Sequence, residues 1–170
     1  MTSDRDQAAY RIRLGEPSDL PLLLALERSI PTAPHWTEAE YTQCFEASAD
    51  SRVKRQLFVA ESSPTPTLQG FAVAKLLLIP NGDAFESEAE LESIAVAPSA
   101  RRLGIGSRLC EAVRDWAAKA GATSLELEVR SGSDAAIALY RQFGFTPYAT
   151  RPTYYRDPIE DALLMRLPLI

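Results

Sequence analysis

Residues 91–109 read Leu-Glu-Ser-Ile-Ala-Val-Ala-Pro-Ser-Ala-Arg-Arg-Leu-Gly-Ile-Gly-Ser-Arg-Leu, and few folds accommodate such a run. A β-type stretch ends at Pro98, a basic loop interrupted by Gly104 and Gly106 follows, and residues 107–118 have a helix-favouring composition. Strand, turn and helix in that order make an anion site. The first turn of a helix has unpaired N–H groups and the positive end of the dipole, and two glycines without Cβ let a phosphate approach the backbone. A pyrophosphate is the natural guest. Two other phosphate loops fail on spacing. No Lys follows either glycine, as a Walker loop requires, and Leu109 stands where a dinucleotide fingerprint needs its third glycine. Glu126 and Glu128 do lie about 20 residues downstream, where a ribose-binding acid belongs, but the chain has no second mononucleotide half. What is left is R-x-x-G-x-G, Arg101 to Gly106, which by itself describes any tight strand-to-helix turn.

Two further stretches give that turn its meaning. Residues 125–130 read L-E-L-E-V-R and residues 135–145 read A-A-I-A-L-Y-R-Q-F-G-F. With I-A-V-x-P and R-x-x-G-x-G ahead of them, the chain resembles the GNAT superfamily of acyl-CoA-dependent N-acetyltransferases. Within it, the resemblance is to the bacterial ribosomal-protein-alanine N-acetyltransferases, through L-E-V-R, A-A-I-A-L-Y, the Tyr154-Tyr155 pair and Glu160-Asp161-Ala162. It covers residues 11–167 and is dense from Leu91 onward.

The resemblance implies an α/β fold, a mixed twisted sheet of about seven strands with four helices. It forms a single acetyltransferase domain over residues 10–170, behind a flexible tail over residues 1–9. It implies acetyl-CoA as cosubstrate and no metal. Ile94, Ala95 and Val96 would offer strand backbone to the pantetheine arm, and Arg102, Leu103, Gly104, Ile105, Gly106 and Ser107 would wrap the pyrophosphate with amides. Where the close family has Asn, this chain has Ser133, so a side-chain contact to CoA is weaker or lost there. Trp36, Glu92 and Tyr154 would line the acceptor site, which the turn over residues 155–160, shorter than the family's, also borders.

Acyl transfer to an amine requires a base, because a protonated amine is not a nucleophile, and an acid for the departing thiolate. Similarity to the ribosomal-protein enzymes puts these roles on Glu128 and Tyr140. The residues alone also allow Glu128 as a surface carboxylate facing Arg130 and Tyr140 as a core aromatic on its helix stripe, and because members of the superfamily vary the base, the resemblance also allows Glu92 in that role. Three functions follow in order: acetylation of a protein N-terminus such as that of a ribosomal protein, acetylation of a small amine (a polyamine or an antibiotic), and non-catalytic acyl-CoA binding. Glu88, Glu90, Glu92, Glu126 and Glu128 suggest a negative cleft, and the resemblance points to a peptide with a small first residue and a basic second one.

Composition agrees. The 170 residues carry 18 Lys and Arg against 23 Asp and Glu, a balance that argues against a nucleic-acid partner and suits a cationic one. Cys44 and Cys110 are far apart, form no C-x-x-C pair and fall in expected helices, so they read as plain thiols in a reducing compartment. No apolar run nears membrane-spanning length and residues 1–7 are polar, so a soluble cytoplasmic protein is expected, with no membrane partner. The lone His35, in a Pro-rich loop, makes no metal site.

In chain order, residues 10–13 read as a strand and residues 16–29 as a helix with an apolar stripe that includes Glu27. Thr37 and Glu40 have the spacing of a capping box. Trp36, between these helices, pins the loop or walls the acceptor site. Strands follow at 57–61, 69–77 and 86–96, the last with carboxylates at alternate positions. A crossover helix makes the strand at 125–130 parallel to the one before it. Ser133 opens the last helix, Gly144 ends it, and a hairpin of residues 145–150 and 160–167 closes the sheet.

Overall fold

The computed structural model describes residues 9–46 and 52–169. The expected N-terminal tail lies outside the described residues except for Ala9, whose carbonyl accepts a hydrogen bond from the Ser63 N–H. The elements in order are β1 (Tyr10–Leu14), a 3₁₀ turn (Pro17–Asp19), α1 (Leu20–Arg28), α2 (Glu38–Thr42), β2 (Val53–Ser62), β3 (Leu68–Asn81) and β4 (Ala84–Val96). A second 3₁₀ turn (Pro98–Ala100) leads to α3 (Ile105–Lys119), β5 (Ser124–Arg130), α4 (Asp134–Gln142), β6 (Thr146–Tyr155) and β7 (Glu160–Pro168). The seven strands form one sheet in the order β1-β2-β3-β4-β5-β7-β6. β4 and β5 are parallel, with Glu90 opposite Glu126, while β5/β7 and β6/β7 are antiparallel, so the sheet is mixed as expected. β7 enters between β5 and β6, a placement that the hairpin pattern alone does not give.

Two compact units can be distinguished. The first comprises residues up to Glu46, Gln56–Val73 and Ser93–Ala112. Its core gathers Leu23 and Leu24 of α1 with Tyr41, Leu57, Val59, Phe71 and Val73. Glu27 lies fully buried on the same stripe, and burial together with this carboxylate pushes the Tyr41 hydroxyl up. The capping box forms as read: the Glu40 N–H donates to Thr37 Oγ1 at 3.2 Å and the Thr37 N–H to Glu40 Oε2 at 2.6 Å. Cys44 falls in the turn after α2, not in a helix, because the helix stops after five residues; Cys110 is in α3, where burial pushes its thiol up to about 12.

The second unit comprises, among the described residues, residues 52–55, Ala74–Glu92 and the chain from Val113 onward. β5 alternates as predicted, burying Leu125, Leu127 and Val129 and turning Glu126, Glu128 and Arg130 to the other face. Gly144, at φ +98°, ends α4. Its N–H donates to the Arg141 carbonyl and the Phe145 N–H to the Tyr140 carbonyl, both at 3.0 Å, while the Tyr140 and Phe145 rings meet edge-on at 5.8 Å. This is a Schellman close with its hydrophobic contact, and it fixes the Tyr140 ring. Ser133 holds the N-cap position without a side-chain capping bond. Its ψ of 69° differs from the extended 161° that aims Thr37 at its helix.

In the first unit, Arg13 grips Asp19 with two contacts of 2.8 Å and Glu61 with contacts of 2.7 and 3.0 Å, and holds the Asp19 carboxyl below the usual range. A depressed folded pKa contributes stability above the unfolded pKa of about 3.9 that is lost as pH falls through the folded value. Asp19→Asn should therefore cost about 1.5–3 kcal/mol at pH 7, the worth of a charged hydrogen bond. In urea unfolding that gap should narrow below about pH 4; a gap that does not change with pH would contradict the assignment.

Candidate functional site

In the first unit, the end of β4 is fixed by the Ala97 N–H donating to the Gln69 carbonyl at 2.8 Å, and the Pro98–Ala100 turn redirects the chain. Residues 101–104 are exposed. Arg102 has φ +66° and Gly104 φ +80°. A Cβ on Gly104 would meet only Tyr10 Oη, at 3.6 Å, so glycine is needed there for conformation, not for space. For Arg102 the left-handed conformation costs roughly 1–2 kcal/mol, so its surroundings must hold it. Tyr10 contributes: its hydroxyl, on β1, donates to the Leu103 carbonyl at 3.0 Å.

The helix begins at Ile105, two residues earlier than the composition suggests, because Ile105 is buried and pins the first turn into the core. Ile105, Gly106 and Ser107 thus belong to that turn. The N–H groups from Gly104 to Ser107 precede the Arg108 N–H bond to the Gly104 carbonyl at 3.0 Å. A 15-residue helix behind them aligns its dipole on the loop, and Arg101, Arg102 and Arg108 surround it with positive charge. Such a cradle fits a diphosphate. Ala95 is buried and Ile94 and Val96 are half-buried along the strand that leads into it. Trp36 packs on the core of this unit with its ring 5.2 Å from that of Tyr41, which makes it a pin for the loop between α1 and α2.

In the second unit the expected carboxylates share one face of the sheet, and the neighbouring strands supply cations to them. Arg55 of β2 donates to Glu92 Oε2 at 2.9 Å and Oε1 at 3.3 Å, and Lys75 of β3 lies 3.3 Å from Glu92 and 3.1 Å from Glu90. Arg166 of β7 donates through Nε and Nη2 to Glu126 Oε1, and the Tyr148 hydroxyl donates to Oε2 at 2.9 Å. Arg151 of β6 reaches Glu128 Oε1 through Nη1 at 2.8 Å. Glu90, Glu92, Glu126 and Glu128 are therefore each held in an ion pair, with Lys75 shared by two of them, which reduces the negative charge that the carboxylate count suggests. The neighbouring Glu128 carboxylate pushes the Tyr154 hydroxyl's pKa up, and the Arg151 guanidinium stands 5.6 Å from the Tyr154 ring.

Arg130 turns away from Glu128. It pairs with Glu160 at 3.3 Å and lies 4.4 Å from the Tyr155 ring. Glu160 also accepts the Gly132 N–H at 2.6 Å, where a Cβ on Gly132 would collide with it, so the loop into α4 is tied to β7 beside Ser133. Tyr140, only 5% exposed, is a fixed group and not a mobile one. Among the described residues no group of three or more His, Cys, Asp or Glu could hold a metal ion. Among them, no helix is long and apolar enough to cross a membrane.

The sequence reading missed Arg151 and Tyr10. The expected strand stops at Thr150, which leaves Arg151 outside it, whereas β6 runs on to Tyr155. Tyr10 gives no local signal for a bond to a residue 93 positions away. Tyr10→Phe should keep the ring and free the Leu103 carbonyl, costing about 1 kcal/mol or roughly 2–4 °C of thermal stability. No loss of stability would mean that the loop holds its shape without the bond.

Residues 21–145 match the model of the acetyltransferase (GNAT) family. The chain is 33% identical to the ribosomal protein bS18-alanine N-acetyltransferase of Escherichia coli K12 over 91% of its own length and 94% of that protein's. The crystal structure of the ribosomal-protein-S18-alanine N-acetyltransferase from Escherichia coli superposes with a TM-score of 0.71, covering 94% of each chain at 32% identity. Chaetomium thermophilum Naa20, in complex with a bisubstrate analogue, gives 0.77 at 30% identity over 94% of this chain and 86% of that one. Arabidopsis thaliana NAA60, in complex with acetyl-CoA, shares the fold with a TM-score of 0.82 at 18% identity, covering 94% and 98%. The chain belongs to the GNAT acetyltransferase family and is an acetyl-CoA-dependent N-acetyltransferase.

Proposed function

We propose that this GNAT enzyme, a single catalytic domain over residues 10–170, acetylates the α-amine of a protein N-terminus, with Glu128 as general base and Tyr140 as general acid. The observation that carries the choice of base is the unequal grip on the carboxylates. Glu92 is clamped through both oxygens by Arg55 and Lys75, whose side chains are 25% and 23% exposed. Glu128 is paired with Arg151, whose side chain is 53% exposed and is the easiest of these cations to move. Glu92 then acts as a structural anchor on the acceptor side, with Tyr154 and Trp36 as neighbours of the bound peptide.

Acetyl-CoA supplies the activated acyl group as a thioester. The amides of Arg102 to Ser107 hold its diphosphate, the backbone of Ile94, Ala95 and Val96 aligns its pantetheine arm, and Ser133 contributes at most a weak contact. Glu128 takes a proton from the bound ammonium, which frees the nitrogen lone pair to attack the thioester carbonyl; a second proton leaves the nitrogen after the C–N bond forms and, through solvent, replaces the one that Tyr140 gives up. Tyr140 gives its proton to the sulfur as the C–S bond breaks, and its fixed ring suits a donor that must be in place beforehand. An α-amine costs less to deprotonate than a lysine, by about 2 pKa units or about 3 kcal/mol. That difference favours N-terminal transfer by a carboxylate base.

Likeness to the Escherichia coli relative, named for an alanine on a ribosomal protein, supports an alanine as the first residue of the acceptor, and a cytoplasmic enzyme suits such a substrate. Glu128→Gln and Tyr140→Phe should each lower kcat on a peptide beginning with Ala by about 10²–10⁴-fold while acetyl-CoA still binds. Full activity in either variant removes that residue from the mechanism, and faster turnover of spermidine than of any peptide moves the enzyme to small amines. Saturating acetyl-CoA should stabilise the protein by about 2.7 kcal/mol at a hundredfold over Kd, and Gly104→Val, which forces a β-branched residue into a left-handed conformation, should abolish that gain.

A further inference from the structure

A base must present a lone pair to the amine, yet Glu128 Oε1 is taken by Arg151 Nη1 at 2.8 Å. The guanidinium sits where an incoming ammonium would make its own ion pair. Arg151 projects from β6, an edge strand that pairs with β7 alone in the sheet order and is exposed along nearly its whole length, so the side chain has solvent to swing into. The guanidinium also stands 5.6 Å from the Tyr154 ring while it is paired with Glu128, so the ring can keep hold of it by cation–π contact when the pair opens. The other cations on this face lack that freedom. Arg55 bridges both oxygens of Glu92, Lys75 lies between Glu90 and Glu92, and Arg166 places two nitrogens on Glu126 Oε1.

We infer that Arg151 is a stand-in for the acceptor's ammonium: it occupies Glu128 until a cationic amine displaces it, and so makes the site selective for ammonium over neutral acceptors. The inference rests on Glu128 being the base. An exposed ion pair is worth 0.2–1 kcal/mol, so an ammonium that forms an equivalent pair replaces it at little net cost. A neutral acceptor such as an alcohol brings no replacement charge and meets the full competition. Arg151 thus acts through Glu128, as a specificity-determining residue.

The test measures peptide KM, and peptide Kd with CoA bound, for the wild-type enzyme and four variants. Removing the competitor with Arg151→Gln should lower both constants about two- to fivefold without lowering kcat, the range that an exposed pair allows. Arg151→Lys, which keeps the charge, should return them toward the wild-type values. In a Glu128→Gln background, Arg151→Gln should leave both unchanged, because the competition has lost its object. Unchanged or raised constants in the single Arg151→Gln variant overturn the inference, as does a fall in kcat at constant KM, which would make Arg151 a support for the base. If Glu128→Gln alone leaves kcat intact, the assignment of the base fails; if it slows the reaction while Arg151→Gln has no effect on peptide binding, only the role of Arg151 fails.

Discussion

The parallel pairing of β4 with β5 is the constraint on which the rest depends. A parallel pair cannot be closed by a tight turn, so a crossover must leave the end of β4 and return to the start of β5, and α3 is that crossover. The helix therefore has to begin a few residues after the strand stops. The chain manages this with a short 3₁₀ turn and two left-handed residues, Arg102 and Gly104. An open set of amides at the head of a long helix is the by-product of that geometry, and it suits an anion such as a diphosphate.

The same pairing decides which charges share a face. Because Glu90 stands opposite Glu126, the alternation of both strands puts carboxylates side by side, an arrangement that would be repulsive if left alone. The flanking strands answer with Arg55, Lys75, Arg166 and Arg151. These pairs are unequal in number of contacts and in exposure, and that inequality, more than the presence of an acid, separates a carboxylate that can act from one that is locked.

Much of this was legible in the sequence because it is local. The loop with its glycines, the Thr37–Glu40 box, the alternation of β5 and the Gly144 stop each depend on residues a few positions apart, and each is found in the structure. What stayed hidden depends on strand order. The insertion of β7 between β5 and β6 brings Arg166 onto Glu126, and the continuation of β6 past Thr150 brings Arg151 onto Glu128; neither register is encoded near the residues concerned. For the same reason the carboxylate count does not reveal the cations that pair with Glu90, Glu92, Glu126 and Glu128. Ser133 shows a smaller failure of local reasoning: the residue type and position of a cap are present, but the backbone angle that would aim its hydroxyl is not.

The central claim, transfer to an N-terminal α-amine, is tested most directly by locating the acetyl group. A peptide beginning Ala-Arg and carrying one internal lysine, incubated with the enzyme and acetyl-CoA, can be sequenced by fragmentation mass spectrometry. A moderate carboxylate base should place the new acetyl group on the first residue and leave the lysine free, since the lysine amine is harder to deprotonate by about 3 kcal/mol. Acetylation of the lysine in preference to the N-terminus would contradict the account.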